Sequence, residues 1–134
     1  IIEEIPEEIT THEIKILIAE DNVINLLLTK TYLKDILPQA LIIEAKDGNE
    51  AIEQFHKERP DLILMDIQMP NMNGYEAAKT IRNLPEHEKA SIPIICMSAN
   101  VFSEDIQKAF DSGMNAHIAK PLNLETLLQT IANC

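Results

Sequence analysis

The chain is short of several things, and each shortage removes a class of function. No apolar run comes near the roughly 20 residues needed to cross a bilayer. There are only 2 cysteines in 134 residues. Cys96 sits inside the apolar run IPIICMS and Cys134 is the last residue, so neither a disulfide framework nor a cysteine-based metal site is expected. Cys96 reads as a small core hydrophobe. Basic residues are scarce, 11 against 22 acids, for a net charge of −11. The basic footprint of nucleic-acid binding is therefore missing, and the balance suits cations or basic partner surfaces. The opening IIEEIPEEITTHE lacks the basic start of a secretory leader, which makes the cytosol the expected compartment. His12, His56 and His87 have no metal-site spacing and read as surface residues. No repeat or low-complexity stretch interrupts the chain.

What remains is the balance of one globular domain with one core: 46% hydrophobic and 25% charged residues. Residues 1–13 show no clean period and read as an acidic linker, so the folded domain is expected over 14–134. Short apolar runs then alternate with helical patterns. IKILIA (14–19), LIIEA (41–45), LILMD (62–66), IPIICMS (92–98) and NAHIA (115–119) predict strands. Residues 22–37, 47–58, 74–84, 103–113 and 123–132 predict helices. Asp47 and Glu50 stand at capping-box spacing, Ser103 and Asn123 are placed as N-caps, and Gly113 lies just past a helix end. The alternation predicts an α/β domain with a five-stranded parallel sheet and five helices. Its strands are nearly continuous apolar runs, as burial on both faces requires.

Open α/β sheets bind ligands at the carboxyl ends of their strands. Glu20 and Asp21 follow the first strand, Asp66 ends the third, Ser98 ends the fourth and Lys120 follows the fifth. Three carboxylates brought together need compensation, which a hard divalent cation such as Mg²⁺ supplies through oxygen ligands. A lysine and a hydroxyl opposite suit a group with several anionic oxygens, the makings of a phosphoryl-transfer site. One carboxylate can itself be the nucleophile, and Asp66, alone at the end of a central strand, is the best placed. In LILMDIQMPNMNG, residues 62–74, the chain turns sharply after Asp66 through Met69-Pro70 and an asparagine-rich turn, and Gly74 releases it into the next helix.

The segments ILIAEDN, LILMDIQMPNMNGYE, IICMSA and HIAKP, in that order, resemble those of response-regulator receiver domains over residues 14–132. The wording EDNVIN, MDIQMPNMNG and GMNAHIAKPL is most similar to receivers attached to hybrid sensor histidine kinases. The resemblance implies the flavodoxin-like doubly wound fold and a place in a two-component phosphorelay. Asp66 would accept a phosphoryl group from a partner phosphohistidine. Asp21, Asp66 and the backbone carbonyl of Gln68 would ligate Mg²⁺, and Glu20 would act through a metal-bound water. Ser98 and Lys120 would hold phosphoryl oxygens, and the Lys120–Pro121 bond would be cis. Gln68 and Asn100 would tune hydrolysis.

The sequence departs from the family pattern at three places. Glu20 stands where many relatives have Asp, and Ser98 where Thr is commoner. His117 occupies the position of the switch aromatic; being smaller and chargeable, it implies a muted switch with Ser98. Val23, Ile24, Leu26, Leu27 and Leu28 wrap the first helix more fully than one core face needs. Ile24, Leu27 and Leu28, with Pro121 and Leu122 alongside, are expected to receive a histidine kinase phosphohistidine domain or a histidine phosphotransfer protein. No direct nucleic-acid contact is expected, and a membrane only through a parent kinase. The chain reads as the C-terminal receiver of a hybrid kinase, or a stand-alone regulator, promoting only its own phosphorylation and dephosphorylation rather than acting as an enzyme. Two rivals are a haloacid-dehalogenase-like phosphohydrolase, which would carry a second Asp where Gln68 stands, and a pseudo-receiver that only binds partners.

Overall fold

The computed structural model describes residues 14–84, 91–99 and 103–134. The linker expected over 1–13 lies outside the described residues, as do His12, His87 and Asn100. In chain order the elements are β1 (Lys15–Ala19), α1 (Val23–Ile36), β2 (Leu41–Ala45), α2 (Gly48–Glu58), β3 (Leu62–Asp66), α3 (Gly74–Arg82), β4 (Ile94–Ser98), α4 (Ser103–Asp111), β5 (Ala116–Ala119) and α5 (Leu124–Ala132). The five strands form one parallel sheet in the order β2-β1-β3-β4-β5.

The continuous apolar runs are explained by helices on both faces. Alternate side chains of one strand serve two cores. Ile16, Ile18, Leu62, Leu64, Ile95 and Met97 pack with Leu33 and Ile36 of α1 and Leu127, Leu128 and Ile131 of α5. Leu17, Ala19, Ile63, Met65, Ile94 and Cys96 pack with Phe55 of α2, Ala78 and Ile81 of α3 and Ala109 of α4. Cys96 is the core hydrophobe its setting implied, and burial pushes its thiol up to about 12.

Helix starts follow short polar caps. The side chains of Asn22, Asp47, Asn73 and Asn123 accept hydrogen bonds from backbone N–H groups one turn into their helices. Glu50 completes a variant of the capping box, accepting from the N–H of Lys46 rather than that of Asp47. Ser103 is the first helical residue of α4 rather than the residue before it. At the other end of α4, Met114 N–H donates to Ala109 O and Gly113 N–H to Phe110 O, the paired bonds of a Schellman close. Pro93, expected inside the fourth strand, lies just before β4, where its missing N–H is harmless and its carbonyl accepts from Ile63 N–H.

Phe55 is fully buried between α2 and the sheet. Phe55→Ala is expected to cost about 3–5 kcal/mol of unfolding free energy. Urea denaturation monitored by circular dichroism measures it; a loss under about 1 kcal/mol would contradict the packing of α2.

Candidate functional site

β1 lies between β2 and β3, so the connections leaving it and entering β3 run to opposite sides. Such a reversal opens a crevice at the carboxyl ends of the strands. The turn after β1 delivers Glu20 and Asp21; β3 ends in Asp66, β4 in Ser98, and the turn after β5 carries Lys120. These five residues line one cleft of about 240 Å³, together with Asn22, Asn25, Gln68 and Ala99. That is less than the roughly 300–1,000 Å³ typical of drug-sized ligand pockets, so the cleft suits an ion and a small group.

Backbone contacts fix the geometry. Glu20 N–H donates to Ala45 O at 2.9 Å, and Lys120 N–H to Ser98 O at 2.9 Å. The Lys120–Pro121 peptide is cis, as the family resemblance implied. Gly74 N–H donates to Ile67 O at 3.0 Å, so α3 starts directly against the end of β3. A Cβ at Gly74 would run into the carbonyl oxygen of Asp66, which is why the chain has glycine there.

The electrostatics are those of crowded acids around one cation. Glu20 and Asp66 are 1% and 4% exposed, whereas Asp21 faces solvent. Single carboxylate oxygens of Glu20, Asp21 and Asp66 all lie within 4.8 Å of one another. Lys120 Nζ lies 2.8 Å from Glu20 Oε1 and 3.0 Å from Asp66 Oδ1. Burial, then a hydrogen bond with Glu20 and its charge, push the Asp66 carboxyl up to about 7, against the pull of Lys120. Burial alone would lower the Lys120 ammonium, but its contacts with Glu20 and Asp66 outweigh that and hold it above the usual lysine value.

This donor set fits a hard divalent cation. Its ligand atoms are oxygens, and three carboxylates outnumber the one ammonium. Glu20 Oε2 accepts from Asn22 N–H at 3.2 Å. Buried Glu20 Oε1 has an ion-pair partner but no aligned hydrogen-bond donor, so a second cation would meet an unfilled acceptor.

The remaining candidates divide. His117 lies on β5 opposite Cys96, outside the cleft lining, with Nε2 buried and without a hydrogen-bond partner. On α1, Val23 and Ile24 are each 76% exposed and Leu27 63%. Leu28 is half-buried, and half-buried Leu122 packs against the α1–α5 core, while Pro121 is exposed. The exposed apolar patch is thus Val23, Ile24 and Leu27, next to the cleft-lining Asn22 and Asn25. Neither asparagine was singled out from the sequence. The available signal was the spacing in EDNVIN, which puts both on one turn, with Asn22 capping through Asn25 N–H. That bond makes Asn22, not the neighbouring Asp21, the cap of α1.

Comparison with known proteins gives a consistent picture. The family model of the response regulator receiver domain matches residues 16–132. A hybrid signal transduction histidine kinase K from Dictyostelium discoideum is 41% identical over 123 residues, 88% of this chain but 10% of that protein. The chain thus spans only a small part of such relatives. The receiver domain of a sensor histidine kinase from Pseudomonas aeruginosa PAO1, solved with a magnesium ion coordinated in its active-site cleft, superposes with a TM-score of 0.78 at 30% identity, covering 91% of this chain and 96% of that one. A Saccharomyces cerevisiae response-regulator receiver domain, solved in complex with a histidine phosphotransfer protein, gives a TM-score of 0.80 at 34% identity, covering 89% and 86%.

The raised Asp66 carboxyl has a consequence for stability. Its folded value of about 7 exceeds the usual 3.8, so between these the folded chain holds the extra proton and this group makes stability fall as pH rises. In EDTA, Asp66→Asn is therefore expected to raise the melting temperature at pH 8 by about 3–5 °C, with the gain vanishing towards pH 4. Calorimetry across this range checks it; no gain at pH 8, or a gain that grows on acidification, would contradict the assignment.

Proposed function

Because the chain belongs to the response regulator receiver domain family, and so is a receiver domain of a two-component phosphorelay, we propose that Asp66 is its phosphoacceptor and Mg²⁺ its cofactor. The observation that carries this is Asp66 at the end of β3, 3.0 Å from Lys120 and within 4.8 Å of two further carboxylates. Asp66 Oδ attacks the phosphorus of a phosphohistidine on a partner. An O–P bond forms as the N–P bond breaks, and the electron pair returns to the imidazole nitrogen, which takes up a proton. Ser98 donates a hydrogen bond to one phosphoryl oxygen and Lys120 pairs with another, so charge is met by groups already in place. Asp21, Asp66 and the Gln68 carbonyl would hold Mg²⁺, with Glu20 acting through a water, and the ion supplies positive charge to the transferring oxygens. His117, away from the cleft, serves as a muted partner to Ser98 in the conformational response. The chain promotes only its own phosphorylation and dephosphorylation.

The donor is a histidine kinase phosphohistidine domain or a histidine phosphotransfer protein, docking on Ile24 and Leu27 with Pro121 beside them. The solved complex of a similar receiver with a histidine phosphotransfer protein supports this class of partner. Similarity to hybrid kinases supports a parent protein of that kind; the cytoplasm is the compartment proposed for this domain. Among the described residues, no helix is long and apolar enough to cross a membrane.

Intact mass after incubation with acetyl phosphate tests the core of this. One phosphoryl group is expected with Mg²⁺ and none without it or in Asp66→Asn; a beryllofluoride titration covers rapid self-dephosphorylation, and failure of both refutes the assignment. Ile24→Asp is expected to slow transfer from a phosphotransfer protein by at least about tenfold, because a charge there opposes burial of an apolar contact. Its phosphorylation by acetyl phosphate should be unchanged, and equal transfer rates would remove α1 from the docking face.

A further inference from the structure

We propose that Asp47 and Asn71 form a clasp between α2 and the β3–α3 loop that sets the affinity of the acidic cleft for its divalent cation. This rests on reading the cleft as a Mg²⁺-dependent phosphoacceptor site, and it adds two positioning residues outside that cleft.

Asp47 uses its two carboxylate oxygens for different tasks. Oδ1 accepts from Glu50 N–H at 2.8 Å and caps α2; Oδ2 accepts from Asn71 Nδ2 at 2.8 Å, across 24 residues of sequence. A cap needs only the first: Asn22 and Asn73 cap their helices through Oδ1 alone. Both bonds stabilise the charged form, and the Glu50 N–H first, with Asn71 next, keeps the Asp47 carboxyl below the usual carboxylate range. The adjacent residues repeat the contact. Gly48 N–H donates to Met72 O at 2.9 Å. A Cβ at Gly48 would lie 2.6 Å from that oxygen, so the backbones meet as closely as they do only because the residue is glycine.

Two consecutive residues of the loop are thus bonded to two consecutive residues at the start of α2. The loop's other anchor is Gly74 N–H on Ile67 O. Between the anchors lies Gln68, which lines the cleft and has an exposed side chain. Ile67, Met69 and Met72 press the loop onto the core. Apolar packing is non-directional, though, whereas a backbone carbonyl serving as a ligand must be aimed to a fraction of an ångström. The hydrogen-bonded clasp supplies that aim. Asn71 takes part with φ +66, a left-handed conformation that asparagine tolerates better than most residues.

That conformation also gives a clean test. Asn71→Gly deletes the amide while keeping a residue at ease with positive φ. Asp47→Ser keeps a capping oxygen and removes the second acceptor. Calorimetric Mg²⁺ titration of the unmutated chain, both variants and the double variant is expected to show about tenfold weaker binding in each single variant. The double variant should be no weaker than the singles, since both break one contact. With acetyl phosphate, half-saturating Mg²⁺ should rise by the same factor while the plateau rate changes by less than about twofold. Unaltered Mg²⁺ affinity in Asn71→Gly, or additive losses in the double variant, would overturn the proposal and leave the phosphoacceptor reading standing. An unmutated chain that takes up no Mg²⁺ would sink both together.

Discussion

The position of one ammonium group governs the rest of the structure. Glu20 and Asp66 are both buried, and two carboxylates in so dry a place repel and lose hydration together. Lys120 answers both at once, within 3.0 Å of each. It can do so only because β5 closes the sheet beside β4 and because its own N–H is tied to Ser98 O. The compensation is incomplete, one positive charge against three negative, and burial first, with Glu20 next, leaves Asp66 a far weaker acid than usual. A group so poised is stabilised by further positive charge and by little else, which makes the cleft selective for cations before any ligand geometry is considered.

The two edges of the sheet are built for different purposes. At the carboxyl edge lie a positive φ at Asn71, a cis bond before Pro121 and the glycine contact beneath Asp66, while the positive φ of Arg59 and of Gly113 falls at the strand entries. At the opposite edge, Arg82 binds strand entries together. Its Nε donates to Gly113 O, one terminal nitrogen to Ile92 O, and the other to Asn115 Oδ1, which also accepts from Ile94 N–H. A planar guanidinium pinning three segments rigidifies that edge. Irregular backbone at the functional edge therefore rests on a frame fastened from the far side.

Much of this was legible in the sequence, for definite reasons. Burial on both faces writes a parallel strand as an unbroken apolar run, so β1, β3 and β4 announced themselves, and the residues ending them were the cleft residues. What stayed hidden lacked a local signature. α1 is apolar nearly all round, so its pattern could not say that Val23 and Leu27 stay exposed while Leu28 turns partly inward. It also conceals a polar core residue: Thr29 is fully buried, its hydroxyl satisfied by Asn25 O. Asp47 looked sufficiently explained as a helix cap, and nothing in the sequence near it pointed to Asn71. Contacts made by a side chain's second oxygen, far along the chain, are invisible to periodicity.

The strand order also governs how the domain assembles. β1 pairs with β2 and β3, and Glu20 meets a lysine from beyond the last strand, so the cleft closes only after nearly the whole chain has been threaded. Pairings between such distant segments make nucleation slow relative to a fold of local contacts. They also leave no half-built version of the cleft, because a chain stopped before β5 would hold Glu20 and Asp66 without the ammonium that reconciles them. Binding at this edge is accordingly coupled to global rather than local unfolding. Whatever occupies the cleft adds its mass-action free energy to the cooperative stability of all five strands at once.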